Sequence, residues 1–274
     1  MHHLKNILAA TDLSSPARQA AERAARLARA AGAQLRLAHA LSAGLAAQLQ
    51  QLLGMGNALE TTLIEQTRQE LQNLATELAA ERQVSVEQTL LHGNVVDEIH
   101  REAQAMQADL VVLGARGRGF LRRMTLGSTA ERLLRKSARP MLVVKQRAHE
   151  PYRRVLVAVD FSPWSAPLVD LARRVAPRAH LVLLSAYEVP FEGKLRFASV
   201  SEAVIKSYRE QARQTAERQL HAMAARTGLA PADWTPCLPH ADPSVDVDRK
   251  RLSVQAASRR TRSPATARHH SGKV

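Results

Sequence analysis

A pattern that occurs twice along the chain constrains its fold more than any other feature of the sequence. Residues 4–16, LKNILAATDLSSP, return in similar form as residues 152–163, YRRVLVAVDFSP. In each copy a short apolar run ends in an aspartate, and the Ser-Pro pair that follows suits the start of a helix. The repeat predicts two copies of one structural unit within the 274 residues.

The first copy alternates strands with helices along its whole length. After the first strand, the apolar pattern predicts strands at 34–40, 84–90, 109–114 and 141–144. Helical periodicity occupies 17–31, about 59–81, about 95–106 with Asn94 as its cap, and 128–137. Such alternation implies βαβ units and a parallel sheet covered on both faces, so we expect one complete doubly wound α/β domain.

The second copy follows the same order but stops early. It has a predicted helix at 166–176, a strand at 180–187, a long helix at 201–227 and a strand at 235–238. Residues 243–274 contain a single glycine, Gly272, and are rich in Arg, Ser and Ala. We therefore predict a complete domain at 1–146, an incomplete second copy at 151–240 and a basic, disordered tail at 241–274.

Composition narrows the classes of partner. The net charge is +14, but the positive excess is thin over the body and densest in the tail, and aromatic residues make up only 3%. A base-stacking platform is therefore not expected, which argues against specific nucleic-acid binding. The sequence has no apolar run long enough for a bilayer span, no signal-peptide pattern at its start, and one cysteine, Cys237. These features predict a cytoplasmic protein without a membrane partner.

A glycine- and arginine-rich segment between the fourth strand and the next helix is the candidate binding loop. Residues 114–129 are GARGRGFLRRMTLGST. Open α/β sheets bind ligands at the carboxyl ends of their strands, and glycines allow backbone N–H groups to approach an anion. The helix that begins at Ser128 adds unpaired amides and a positive dipole end. Further positive charge comes from Arg116, Arg118, Arg122 and Arg123.

The spacing within this loop resembles the ATP-binding signature of the universal stress protein family, Gly-x2-Gly-x9-Gly-Ser. The matching residues are Gly114, Gly117, Gly127 and Ser128. The resemblance extends to Ala10-Thr11-Asp12, to His39-Ala40 and to residues 138–144, ARPMLVV, and it covers 1–146 and most of 151–240. It implies a five-stranded parallel sheet of order 3-2-1-4-5, in which the first and fourth strands are neighbours.

The resemblance also implies which residues meet the nucleotide. Asp12 would lie opposite the glycine loop, and the backbone of Ala40, which is small for this position in the family, would contact the adenine. Leu113 and Gly114 would line the ribose side, and the loop glycines with the start of the next helix would hold the phosphates. The complete implied set is Ala10, Thr11, Asp12, Ala40, Leu113, Gly114, Gly117, Gly127, Ser128 and Thr129.

Structural explanations compete with these roles. Asp12 is a common residue in turns, and its counterpart Asp160 lies in the copy that has no loop. Ser128 and Glu131 have the spacing of a capping box, which needs no ligand. The loop arginines are also compatible with an ordinary solvated surface.

The predicted function is a non-catalytic, ATP-binding sensor or regulator in the stress response. The sequence contains no Gly-x-Ser-x-Gly elbow, no Walker loop and no histidine pair with metal-ligand spacing on a helix. Two alternatives remain: a slow Mg-dependent ATPase or phosphoryl-transfer enzyme in which Asp12 holds Mg²⁺, and a basic adaptor that uses no nucleotide. The closing strand commonly pairs with its counterpart in this family, so we expect a homodimer through Met141–Val144.

Overall fold

The fold was analysed in a computed structural model that describes residues 3–42, 57–115, 117, 126–147, 149–198 and 200–240. The chain separates into two compact units, Met1–Pro151 and Tyr152–Val274. The predicted tail, 241–274, lies outside the described residues. In the part of the chain that is described, no helix combines the length and apolar character that crossing a bilayer requires.

The first unit has five strands and four helices among its described residues. In chain order they are β1 (Asn6–Ala10), α1 (Ser15–Ala31), β2 (Gln34–Leu41), α2 (Asn57–Arg82), β3 (Val86–His92), α3 (Val95–Ala105), β4 (Leu110–Gly114), α4 (Ser128–Lys136) and β5 (Met141–Val144). The strands form one parallel sheet of order β3-β2-β1-β4-β5. The predicted doubly wound fold and strand order are confirmed.

The centre of this sheet is buried on both faces. Ile7 and Leu8, on opposite sides of β1, are each fully buried, and four consecutive residues of β4 are buried as well. Helices therefore cover both faces, which is why these strands are almost continuously apolar in sequence. Because β1 pairs with both β2 and β4, the strand order reverses at β1/β4, and the carboxyl ends of these two strands form the switch point.

Local signals set the helix ends. The Ser14 side chain caps α1 by accepting a hydrogen bond from the amide of Ala17, and Gly32 ends this helix with a left-handed φ of 65°. The Asn94 side chain accepts from the amides of Val96 and Asp97 at the start of α3, which confirms the predicted cap. These caps fix where the chain leaves β1 and β3, and so position the edge of the sheet.

The second unit contains a three-stranded parallel sheet of order β6-β7-β8. Its elements are β6 (Arg154–Ala158), α5 (Ser165–Val175), β7 (His180–Leu184), α6 (Glu192–Phe197), α7 (Glu202–Arg226), a 3₁₀ turn (Pro231–Asp233) and β8 (Trp234–Cys237). The order of β6, α5, β7, α7 and β8 matches that of β1 to β3 with their helices. The short helix α6 was not predicted, and β7 ends three residues earlier than expected, although Tyr187 still bridges to His240.

Only one face of the second sheet belongs to its buried core. Val155 and Val157 of β6 pack in one cluster with Leu220 and Met223 of α7. The intervening residue, Leu156, points to the other face and is only partly buried. Its counterpart in the first unit, Leu8, is fully buried in the cluster formed with α3 and α4. Among the described residues of the second unit, no helix corresponds to α3 or α4.

Candidate functional site

The turn that follows β1 is held tightly by its own side chains. The amide of Thr11 donates to the carbonyl of Ala38 at 2.9 Å, which extends the β1–β2 pairing by one residue. Thr11 is buried, and its hydroxyl accepts from the amide of Leu13 at 3.0 Å. Leu13 has a φ of 61°, an uncommon conformation for a residue with a side chain. A strained, well-determined turn at a strand end is a frequent feature of binding sites.

Asp12 uses its two carboxylate oxygens differently. Oδ1 accepts hydrogen bonds from the amide and the hydroxyl of Ser14, and so supports the turn. Oδ2 faces the glycine loop, because a Cβ placed on Gly117 would lie only 2.6 Å from it. At that distance any side chain at 117 would displace the carboxylate. The structure thus brings Asp12 and Gly117, from two sides of the switch point, into direct proximity.

The two ends of the glycine loop meet at Ala115. The amide of Ala115 donates to the carbonyl of Val144 at 2.8 Å, and the carbonyl of Ala115 accepts from the amide of Gly127 at 2.9 Å. Ala115 is buried, so this closure lies in the protein interior. Between these ends only Gly117 and Leu126 are described. Four predicted loop residues lie outside the described residues: Arg116, Arg118, Arg122 and Arg123.

Helix α4 begins at the loop without a side-chain cap. Its N-cap is Gly127, with φ −73° and ψ 152°, so Ser128 is the first helical residue. The predicted capping box is wrong, because Ser128 is not at the cap position and Glu131 instead pairs with Arg135 at 2.6 Å. The first-turn amides, including that of Thr129, have no acceptor within the helix itself, and the positive end of its dipole favours an anion.

The apolar side of the site is formed by strand ends. Leu113, at the end of β4, is part of the buried cluster under α3 and α4. Ala10, Ala40 and Leu126 are partly buried and pack against the same cluster. The structure therefore groups the residues expected near the adenine and ribose at the edge of one apolar cluster. Gly114 ends β4 beside them, one residue before the loop closure at Ala115.

Within its described residues, 152–198 and 200–240, the second unit repeats the turn but not the loop. Oδ1 of Asp160 accepts from the amide of Ser162 at 3.0 Å and from the hydroxyl of Ser165 at 2.9 Å, and Phe161 has a φ of 62°, like Leu13. Hydrogen bonds from Ser162, and then from Ser165, lower the pKa of Asp160 to about 2. The turn therefore forms without a glycine loop, so part of the role of an aspartate here is structural.

Sequence reasoning gave no role to His39, although it lies at the same strand edge. Its Nδ1 is 2.8 Å from the carbonyl oxygen of Thr11. The available signal was a polar residue at the end of a buried strand, next to the residue expected at the adenine. No group of three or more His, Cys, Asp or Glu residues suited to a metal ion occurs in the described ranges.

The fold and this edge place the first unit in the class of doubly wound α/β domains with a candidate ligand site at the switch point. A family model described as the universal stress protein family matches residues 3–145, and the chain belongs to that family. Universal stress protein MJ0531 of Methanocaldococcus jannaschii is 35% identical over 92 residues, which are 34% of this chain and 54% of that protein. Universal stress protein Rv1996 of Mycobacterium tuberculosis is 30% identical over 120 residues, 43% of this chain and 37% of that protein.

The chain spans about half the length, or less, of these curated relatives. A solved universal stress protein from Archaeoglobus fulgidus aligns with 87% of this chain and 79% of its own, with a TM-score of 0.58 and 19% identity. At this identity the likeness shows the fold.

Proposed function

We propose that the first unit binds ATP at the β1/β4 switch point and that the chain acts as a non-catalytic sensor or regulator in the stress response. The observation that carries this proposal is the approach of Asp12 to Gly117, where a side chain at position 117 would require the Asp12 carboxylate to move. A backbone without side chains at this place is what a phosphate group requires for close contact with amide groups.

The phosphates would lie between the loop and α4. Gly117 and Gly127 frame the described part of the loop, and the first-turn amides of Ser128 and Thr129 point out of an uncapped helix start. The helix dipole adds attraction for the negative charge of the phosphates. The missing capping box supports this proposal, because an acidic side chain folded over these amides would compete with an anion.

The adenosine would lie along the strand ends. Ala10, Thr11 and Asp12 would meet it from β1, the Ala40 backbone from β2, and Leu113–Gly114 from β4. The apolar cluster beneath Ala40 and Leu113 suits one face of a base. A methyl group at position 40 offers little packing area, so a modest affinity is expected.

The two alternatives differ in what they require of Asp12. A slow ATPase or phosphoryl-transfer enzyme would use its carboxylate to hold Mg²⁺, whereas an adaptor would bind no nucleotide.

We further propose a cytoplasmic homodimer in which β5 pairs with the same strand of a second copy. This strand lies at the edge of the sheet and is hydrogen-bonded to β4 on one side.

Nucleotide analysis of the purified full chain tests the proposal. We expect heat denaturation to release adenine nucleotide, up to one equivalent per chain, either as purified or after incubation with millimolar ATP. In the presence of Mg²⁺, wild-type chain and Asp12→Asn should hydrolyse ATP at the same rate, which should be no faster than the background rate without protein. A chain that retains no nucleotide would favour the adaptor, and turnover lost in Asp12→Asn would favour the enzyme.

A further inference from the structure

The His39 imidazole contacts the main chain at the predicted nucleotide site. Its Nδ1 lies 2.8 Å from the carbonyl oxygen of Thr11, and the amide of Thr11 donates to Ala38. Both main-chain polar groups of Thr11 are therefore anchored to β2. The next residue along the chain is Asp12, whose Oδ2 faces Gly117.

The direction of this hydrogen bond follows from its chemistry. A carbonyl oxygen accepts only, so Nδ1 of His39 must carry the hydrogen, whether the ring is neutral or protonated. The contact thus needs a donor on the δ atom of residue 39. An asparagine side chain can place an N–H donor at the corresponding position, and a leucine of similar size cannot.

The second unit offers an internal comparison. The amide of Val159 donates to the carbonyl of Leu184 at 2.8 Å, the same main-chain bond that Thr11 makes with Ala38. The aspartate and the left-handed residue of the turn are also present there, as Asp160 and Phe161. The residue at the position of His39 is Ser185, which is buried. The turn forms in both units, and the imidazole occurs in the unit that has the loop.

We infer that His39 is a positioning residue for the nucleotide site. By holding the carbonyl of Thr11 it fixes the last peptide before Asp12, and so keeps Oδ2 aligned with Gly117. This inference rests on the proposed ATP binding by the first unit. It assigns His39 no contact with ATP, only an effect transmitted through Thr11 and Asp12.

Three variants of the full chain test the inference by ATP calorimetry, with urea unfolding recorded alongside. We expect His39→Leu to bind ATP about tenfold more weakly, the scale of one lost hydrogen bond. His39→Asn should bind within about threefold of wild type, because it restores the δ donor. Ser185→Ala, at the same place in the second unit, should bind like wild type.

Each outcome has one meaning. Wild-type affinity in His39→Leu would overturn the role of His39 while leaving ATP binding intact. A loss of about tenfold or more in folded His39→Asn would also overturn it, whether or not the leucine variant folds. A wild-type chain that binds no ATP would overturn the proposed function and the inference together.

Discussion

Oδ2 of Asp12 lies 2.6 Å from the position that a Cβ on Gly117 would occupy, so a side chain at position 117 would require this carboxylate to move. The two residues are far apart in sequence and meet because β1 and β4 are neighbours in the sheet. The other carboxylate oxygen of Asp12, Oδ1, accepts a hydrogen bond from the amide of Ser14.

A negative charge at the start of α4 should weaken ATP binding without destabilising the helix. Gly127 is an N-cap without a capping side chain, so Gly127→Asp would supply a carboxylate for the first-turn amides. We expect the midpoint of urea unfolding to stay constant or to rise slightly, since an aspartate cap is better than glycine by only a few tenths of a kcal/mol. ATP affinity should fall more than about tenfold, because the carboxylate repels the phosphates and occupies their donors.

The matched control for this change is Ser201→Asp. Ser201 is the N-cap of α7 in the second unit and likewise makes no side-chain capping hydrogen bond. The same charge at that helix start should leave calorimetric ATP affinity unchanged. Equal losses in both variants would mean that overall charge, and not the α4 terminus, governs binding.

A buried carboxylate makes the second unit sensitive to acid. Glu192 is only 5% exposed, and its Oε1 accepts from Nε of Arg209 at 3.0 Å while its Oε2 lies 3.0 Å from Nε2 of His240. Hydrogen bonding from Arg209, with a smaller effect of His240, lowers the pKa of Glu192 despite its burial. A lowered pKa means stabilisation above the unfolded-state pKa, which is lost as the pH falls through the folded-state pKa.

Glu192→Gln should therefore lower the stability of the second unit at pH 7, by about 1.5 kcal/mol for a charge-assisted contact. The difference from wild type should shrink as the pH falls below about 4, the region of an unperturbed glutamate. Fluorescence is a selective measure, because both tryptophans of the chain, Trp164 and Trp234, belong to this unit. Glu217→Gln, which alters an exposed pair with Arg213, is the control. A constant difference from pH 7 to pH 3 would contradict the prediction.

The proposed dimer depends on main-chain groups at the outer edge of β5. The carbonyls of Pro140 and Val144 accept hydrogen bonds from the amides of Val111 and Ala115, so these two residues of the β5 segment face β4. Because alternate residues of a strand point their main-chain groups to opposite sides, the amide of Val143 points away from β4. Val143→Pro removes that N–H without removing a β4 bond, and we expect a monomer in sedimentation velocity at tens of micromolar protein, roughly the range of weak interfaces. Val143→Thr keeps the N–H and should remain dimeric. A monomeric wild type would exclude this interface.

Sequence periodicity was sufficient to predict the strands of the first sheet, but it did not predict the contacts between elements at the candidate site. Strands β1, β4 and β5 are short, almost uniformly apolar runs, and such runs end where polar turn residues begin. The helix α6 could not be predicted from its six residues, because a single turn and a half carries no periodic signal. Its Glu192 accepts a hydrogen bond from Arg209 of α7, a contact between two helices that neither segment shows in its sequence.

The start of α4 shows the same limit. Ser128 and Glu131 have capping-box spacing in sequence, but the hydrogen bond between Gly127 and Ala115 moves the cap one residue earlier. The contact of His39 with Thr11 joins β2 to the turn after β1 and leaves no pattern in the sequence of either segment. Contacts between elements decided both outcomes, and local sequence does not encode them.

Calorimetry of ATP binding by the full chain, beside Gly117→Val and Gly193→Val, tests the central claim most directly. A valine at 117 would push against the Asp12 carboxylate, whereas a Cβ on Gly193 meets nothing within 4 Å. We predict one site per chain, at least a tenfold loss in Gly117→Val, which is about 1.4 kcal/mol, and unchanged affinity in Gly193→Val. Two equivalent sites per chain, or wild-type affinity in Gly117→Val, would contradict the account.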